Sequence, residues 1–306
     1  MNYPSARHRT FAAAWLIVAA TALSANAAAP AIDAKLIGAA SGATATTAAD
    51  GVVRIGWSRN DVAVTVDGMP LAAAAGLGSW AAFAPMNDGA MVMGDTVVFE
   101  DEVDAAMDAA FANGLQVTAL HNHFFYDSPR VYFMHIGGVG KPDALAAGVK
   151  SVWSAIRSVR TAHPTPASGF GGPAPKPGHL DAEALGRIVG QPAPDTNGVV
   201  KITINRSGTM HDTPIGGSMG LTTWAAFSGS DELASIDGDF IMTADEVQPV
   251  LQALRKGGIH VVALHTHMTD ETPTFYFTHF WNKGRADALA RALRGALDAQ
   301  RAVAKP

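Results

Sequence analysis

Short runs rich in apolar residues, separated by turn signals, follow one another along this chain, and the same order of runs occurs twice. Runs of this length and composition predict strands. They lie at Val52–Trp57, Trp80–Phe83 and Met91–Phe99, and again at Val199–Ile204, Trp224–Phe227 and Ile236–Met242. A helix is predicted next in each set. It begins at Asp101-Glu102-Val103 (Asp245-Glu246-Val247), where acidic residues suit the positive end of a helix. It stops at Asn113-Gly114 (Gly257-Gly258), a glycine stop signal. A strand at Gln116–Phe124 (His260–Met268) then leads through a turn at Asp127-Ser128-Pro129 (Glu271-Thr272-Pro273) into Val131–Ile136 (Phe275–Phe280). A short helix near Asp33 (Asp181) opens each set, and a longer one at Pro142–Val159 (Ala286–Val303) closes it. The expected fold is α+β: a tandem duplication of one domain, each copy an antiparallel sheet with helices around a central hairpin.

Direct comparison makes the duplication explicit. From Trp80 to Ala146 against Trp224 to Ala290, without a gap, 26 of 67 positions are identical, far more than chance allows. The match extends back to Val52–Ile55 against Val199–Ile202 after a three-residue deletion. The repeats are expected over residues 31–160 and 179–303. The stretch 161–178 between them, rich in Pro, Gly and Ala, reads as a linker.

Composition narrows the setting. Arg7 and Arg9 precede an apolar run from Phe11 to Leu23, and Ala25-Asn26-Ala27 supplies an A-x-A cleavage pattern. Residues 1–27 are therefore expected to be a signal peptide, cleaved near Ala27, with the mature protein in the periplasm or outside the cell. The net charge of −5 leaves no basic excess for nucleic acid. No later segment is apolar for long enough to cross a membrane as a helix. The absence of cysteine excludes disulfides, thiolate metal sites and a cysteine nucleophile. Oligomeric state is not read from the chain.

The central hairpin carries the candidate chemistry. Copy one reads His121-Asn122-His123, eleven residues, then His135; copy two reads His265-Thr266-His267, eleven residues, then His279. Side chains two apart on a strand share a face, and a register bringing His123 near His135 adds the third imidazole. Three neutral imidazoles suit a divalent metal, zinc first, with Mn, Fe, Ni or Cu as alternatives. Asp127 and Glu271, aligned in the turn, are candidate catalytic carboxylates, as ligands or as general bases acting on metal-bound water. Glu102 and Glu246 read as helix N-terminal charges. Trp80, Phe83, Tyr132 and Phe133, with Trp224, Phe227, Tyr276 and Phe277, read as core. The shared Gly94-Asp95 (Gly238-Asp239) reads as a bulge or bend in a strand. His211 and His260 lack histidine counterparts and are weaker candidates. Gly216-Gly217-Ser218-Met219-Gly220 matches the nucleophile pattern G-x-S-x-G but lacks the required strand before and helix after, and Ala74 replaces Ser218 in copy one.

At Gly78-Ser79-Trp80, Gly94-Asp95, Glu102-Val103, Thr118 to His123 and Ser128 to His135 the chain resembles the LppY/LpqO family, as it does at Ala263-Leu264-His265. The resemblance spans essentially all of the chain after residue 27. It implies an exported protein with a duplicated domain and implies no activity. Unlike the lipoproteins of that family, this chain has no cysteine for lipid attachment. The His-x-His…His pattern by itself also looks like the metal site of acetolactate decarboxylases and of small plant-and-prokaryote conserved domains. The expected function is binding of a divalent metal, one triad per repeat. The alternatives are a metal-dependent envelope hydrolase or lyase, and a small-molecule binding or structural envelope protein.

Overall fold

The structure, a computed structural model, describes residues 30–303; the expected signal peptide lies outside the described residues. Copy one runs α1 (Ala34–Ser41), β1 (Thr46–Thr47), β2 (Val53–Ser58), β3 (Thr65–Val66), β4 (Met69–Pro70), α2 (Ala73–Gly76), β5 (Gly78–Met86), β6 (Gly89–Phe99), α3 (Val103–Ala112), β7 (Gln116–His121), β8 (Asp127–Ser128), β9 (Val131–Gly140) and α4 (Pro142–Ala162). Copy two repeats this as α5 (Ala182–Val189), β10 (Asp195–Thr196), β11 (Val199–Asn205), β12 (Gly208–Met210), β13 (Thr213–Ile215), a 3-10 turn (Gly217–Met219), β14 (Thr222–Gly229), β15 (Ala234–Met242), α6 (Ala244–Lys256), β16 (His260–His265), β17 (Glu271–Thr272), β18 (Tyr276–Gly284) and α7 (Ala286–Val303).

The two copies share one twelve-stranded sheet, ordered β1-β2-β5-β6-β9-β7-β16-β18-β15-β14-β11-β10. Every pairing in it is antiparallel, and the copies meet where Leu120 of β7 faces its repeat equivalent, Leu264 of β16. The expected α+β duplication is therefore present, with a continuous sheet across the seam. Side-chain alternation divides the sheet into two faces. Val98, Leu120, Met134 and Ile136 point to the helical side and join a core with Met107, Trp153 and Ile156 that continues into copy two. Val97, Phe99, Val131 and Phe133 point to the other side, where Val64 and Leu77 cover them; Ile241, Phe275 and Phe277 are covered there by Ile215 and Leu221 in copy two.

Gly94-Asp95 is not a bulge: β6 runs through it unbroken, with Gly94 opposite Ala81 and Ile136. The glycine is required by close approach. A Cβ at Gly94 would lie 2.8 Å from the Trp80 carbonyl oxygen, and one at Gly238 would collide with the Trp224 carbonyl and the Phe280 ring. The irregularities fall elsewhere, between Val117 and Ala119 and between Val261 and Ala263. Ser218 lies exposed on the 3-10 turn Gly217–Met219, which continues into β14 and not into an α-helix.

Glu102 and Glu246 do more than start helices. Glu102 is fully buried, and its carboxylate receives Arg59 through Nη1 at 2.7 Å and Nη2 at 2.9 Å, Arg160 through Nε at 2.9 Å, and the Phe99 N–H at 2.9 Å. It ties the loop after β2 and the end of α4 to the start of α3. Glu246 takes the Thr243 N–H in a capping box and receives Arg206 at 2.7 Å and Gln300 at 3.0 Å. Removing one partner from a buried ionic cluster leaves uncompensated charge. Glu102→Ala, which takes the fully buried carboxylate from Arg59 and Arg160 and leaves them only Asp61 and Asp101, is expected to destabilise by about 3–5 kcal/mol. Glu246→Ala is expected to cost less, because the Arg206 side chain keeps 26% of its exposure. Denaturant titration of both variants measures the order, and an equal or reversed cost would refute it.

Candidate metal centre

β7 stops at His121, so His123 lies beyond the strand, and the expected pairing of His123 with His135 does not form. In the observed register His121 faces Phe133 and Ala119 faces His135. The three imidazoles nevertheless converge. The chain leaving β7 lays the His123 ring flat on Phe133, with centroids 3.3 Å apart and planes within 7°. The His121 centroid lies 5.0 Å from His123 and 5.1 Å from His135. Copy two repeats this: His267 lies on Phe277 at 3.5 Å, and His265 is 5.1 Å from His267 and 5.0 Å from His279. Phe133 and Phe277, read as ordinary core, are the floors on which the loop histidines rest.

A carboxylate that the histidine spacing does not reveal completes each cluster. Asp95 of β6 stands directly across from His135 of β9, and Asp239 of β15 directly across from His279 of β18. Alternation on the neighbouring strand sends both to the open face. Asp239 Oδ2 lies 3.2 Å from His267 Nε2, and Asp95 Oδ1 lies 3.8 Å from His135 Nε2. The ligand atoms of Asp239, His265 and His267 all lie within 4.8 Å of one another, a group able to hold a metal ion. Nitrogen and oxygen donors at roughly 2.0–2.2 Å from a tetrahedral zinc lie roughly 3.3–3.6 Å apart, so the group would draw in by up to about 1 Å around an ion. Asp95 Oδ1 and Asp239 Oδ1 are buried and have no hydrogen-bond partner among the described residues.

The backbone orients the rings. Nδ1 of His279 donates to the Gly238 carbonyl at 3.2 Å, and Nδ1 of His121 and of His265 face the carbonyls of Asn122 and Thr266 at 3.4 Å. Each ring thus keeps Nε2 for a ligand, the usual outer arrangement of a metal-binding histidine. His123 and His267 sit below the ordinary imidazole range. Burial penalises their cations most; the adjacent Asp95 or Asp239 pulls the other way, and the neighbouring imidazoles push down. Two rings held neutral favour metal over proton.

Asp127 and Glu271, expected in turns, open the short strands β8 and β17, opposite Val66 and Met210, and each is engaged by the backbone of the returning strand. Asp127 Oδ2 accepts from the Val131 N–H at 2.5 Å, and the buried Glu271 Oε1 accepts from the Phe275 N–H at 2.9 Å. His260 lies away from the triad and meets Asp104 of copy one, 2.5 Å from Nδ1 to Oδ2. His211 is an exposed turn residue. A cavity of about 380 Å³ opens beside the first cluster, lined by Ser58, Gly76, Asp95, His123 and Phe133 among others.

A family model described as "Domain of Unknown Function (DUF1259)" matches residues 36–155 and again 183–299. The chain belongs to that family, as a tandem pair of its domain. No curated protein matches the chain. Among solved structures, the trimeric bacterial microcompartment shell protein PduB aligns over 83% of this chain and 89% of its own, at 9% identity and a TM-score of 0.19. EtuB from Clostridium kluyveri aligns over 84% and 90%, at 10% identity and a TM-score of 0.20. Likeness at that level carries no argument for a DUF1259 protein.

The two depressed imidazoles set a pH dependence. The unfolded chain protonates them near the ordinary value of about 6.5, while the folded, metal-free chain resists protonation to lower pH. Between those values the unfolded state holds more protons, so stability is full above the unfolded value and is lost as pH falls through the folded one. Denaturant midpoints of metal-free protein are expected to fall from pH 7 towards pH 5, and the pair His123→Gln with His267→Gln to flatten that fall. An unchanged slope in the pair would remove these rings as its source.

Proposed function

We propose that each repeat binds one divalent metal ion through three imidazoles and one aspartate: His121, His123 and His135 with Asp95, and His265, His267 and His279 with Asp239. The observation that carries this reading is a buried aspartate beside the histidines in each copy, Asp95 Oδ1 at 3.8 Å from His135 Nε2 and Asp239 Oδ2 at 3.2 Å from His267 Nε2, each carboxylate having one oxygen without a hydrogen-bond partner among the described residues. A buried carboxylate oxygen without a donor is costly, and a cation held jointly with the imidazoles removes that cost. The mixed nitrogen and oxygen donor set suits zinc best, with Mn, Fe, Ni or Cu also compatible. The role is metal binding without turnover, in a protein exported through a signal peptide cleaved near Ala27 and held in the periplasm or outside the cell. By motif it resembles the LppY/LpqO group.

A second reading is a metal-dependent hydrolase or lyase. It is favoured by the cleft beside His123, which would admit a small substrate to the first site. A bound ion there would activate water or polarise a carbonyl. Asp127 and Glu271 would serve as general bases through the carboxylate oxygen not bound to the turn backbone. Both readings share the same ligands, so metal content is the first test.

Elemental analysis of purified protein is expected to find about two ions per chain, about one in His121→Ala or in His265→Ala, and almost none in the double variant. Asp239→Asn is expected to weaken the second site by about 10–100-fold, read by competition with a chromophoric chelator. Full metal in the double histidine variant would sink the assignment.

A further inference from the structure

The duplication is broken at the seam between the copies. Because β7 ends at His121, the outer edge of β16 at His260–Val262 runs past it towards the starts of α3 and β9. By the same symmetry the outer edge of β7 at Gln116–Thr118 faces the start of α6. That second gap is filled from within. Gln248 of α6 accepts from the Val117 N–H through Oε1 at 3.0 Å and donates to the Val117 carbonyl through Nε2 at 2.8 Å. One carboxamide thus satisfies both polar groups of an outward strand edge.

At the first gap the equivalents are Asp104 for Gln248 and Val261 for Val117. Val261 pairs with Phe280 as Val117 pairs with Ile136, ahead of the same irregularity, so its N–H and carbonyl face outward in the same way. Asp104 does not reach them. Its oxygens engage His260 Nδ1 at 2.5 Å and Arg255 Nη1 at 2.7 Å. Among the described residues no side chain bridges the Val261 N–H and carbonyl as Gln248 bridges those of Val117. A cavity of about 250 Å³ lies there, with Val103, Tyr132, Phe170 and Val261 in its lining. The inter-repeat linker roofs it. Asp101 accepts the Ala167 N–H at 3.0 Å, and Phe170 stacks on His260 at 3.8 Å with planes within 14°.

We propose that this cavity binds a small molecule carrying a planar carboxamide on an aromatic-sized apolar body. The amide pair would sit on the Val261 edge as Gln248 sits on Val117, and the body would lie between Phe170 and Tyr132. Glu100, Asp101 and Asp104 in the wall disfavour a carboxylate of the same shape. The site is independent of the metal clusters.

The probe is benzamide, with benzoate as its isosteric control, added to the full chain and followed by amide NMR. Benzamide is expected to shift the Val261 amide and to bind at least about tenfold more tightly than benzoate, because a site built for a donor and acceptor pair rejects an analogue lacking one. Asp104→Gln, which supplies a carboxamide from within, is expected to weaken benzamide at least about tenfold. Phe170→Ala, at a half-exposed position that leaves the core intact, is expected to weaken it too. No shift at Val261 with millimolar benzamide, equal binding of benzoate, or benzamide affinity unchanged in Phe170→Ala would overturn the proposal.

Discussion

The cross-strand pair of Asp95 and His135, repeated as Asp239 and His279, is the contact on which the site depends. Antiparallel register brings a strand carboxylate directly across from a strand imidazole, and the other two imidazoles gather round it. The pair exists only because β6 and β15 pack closely between their neighbours. Gly94 and Gly238, one residue before each aspartate, permit that approach, since no Cβ fits at either position. The open face is then closed by a small second core that includes Phe133 or Phe277, and the loop histidine lies flat on that ring.

Duplication preserves backbone geometry more faithfully than side chains. Both copies keep the irregularity in the hairpin strand, the histidine arrangement and a buried glutamate at the start of the following helix. They differ in what surrounds these features. Glu102 is locked by two buried arginines, whereas Glu246 uses one arginine and a glutamine. Gln248 seals one strand edge, and Asp104 leaves the other open beneath the linker. Equal backbones with unequal side chains are how a repeated domain acquires two different surfaces.

Much of this was legible in the chain. The repeat, the α+β order and the spacing of His121, His123 and His135 follow from periodicity and self-comparison, because strand side chains alternate with a fixed period of two. Strand ends were less so: Gln116–Phe124 overran its true end, since the apolar Phe124 continues the pattern after the backbone has left the sheet. Asp95 reads with Gly94 as a bulge or bend, where the strand in fact runs through unbroken, because glycine in a strand signals either an irregularity or a close approach and one sequence does not separate them.

By itself the sequence determined the duplication, the class of fold and the histidines that recur at one spacing, all of which are local or periodic properties. Only the tertiary structure decided which carboxylate joins them. Asp95 lies forty residues before His135, and nothing local couples the two; strand order and register do. The same holds for the shared sheet across Leu120 and Leu264 and for the linker folded over the first gap. Those are long-range pairings, fixed by where buried surfaces meet and by which strand edges still need partners.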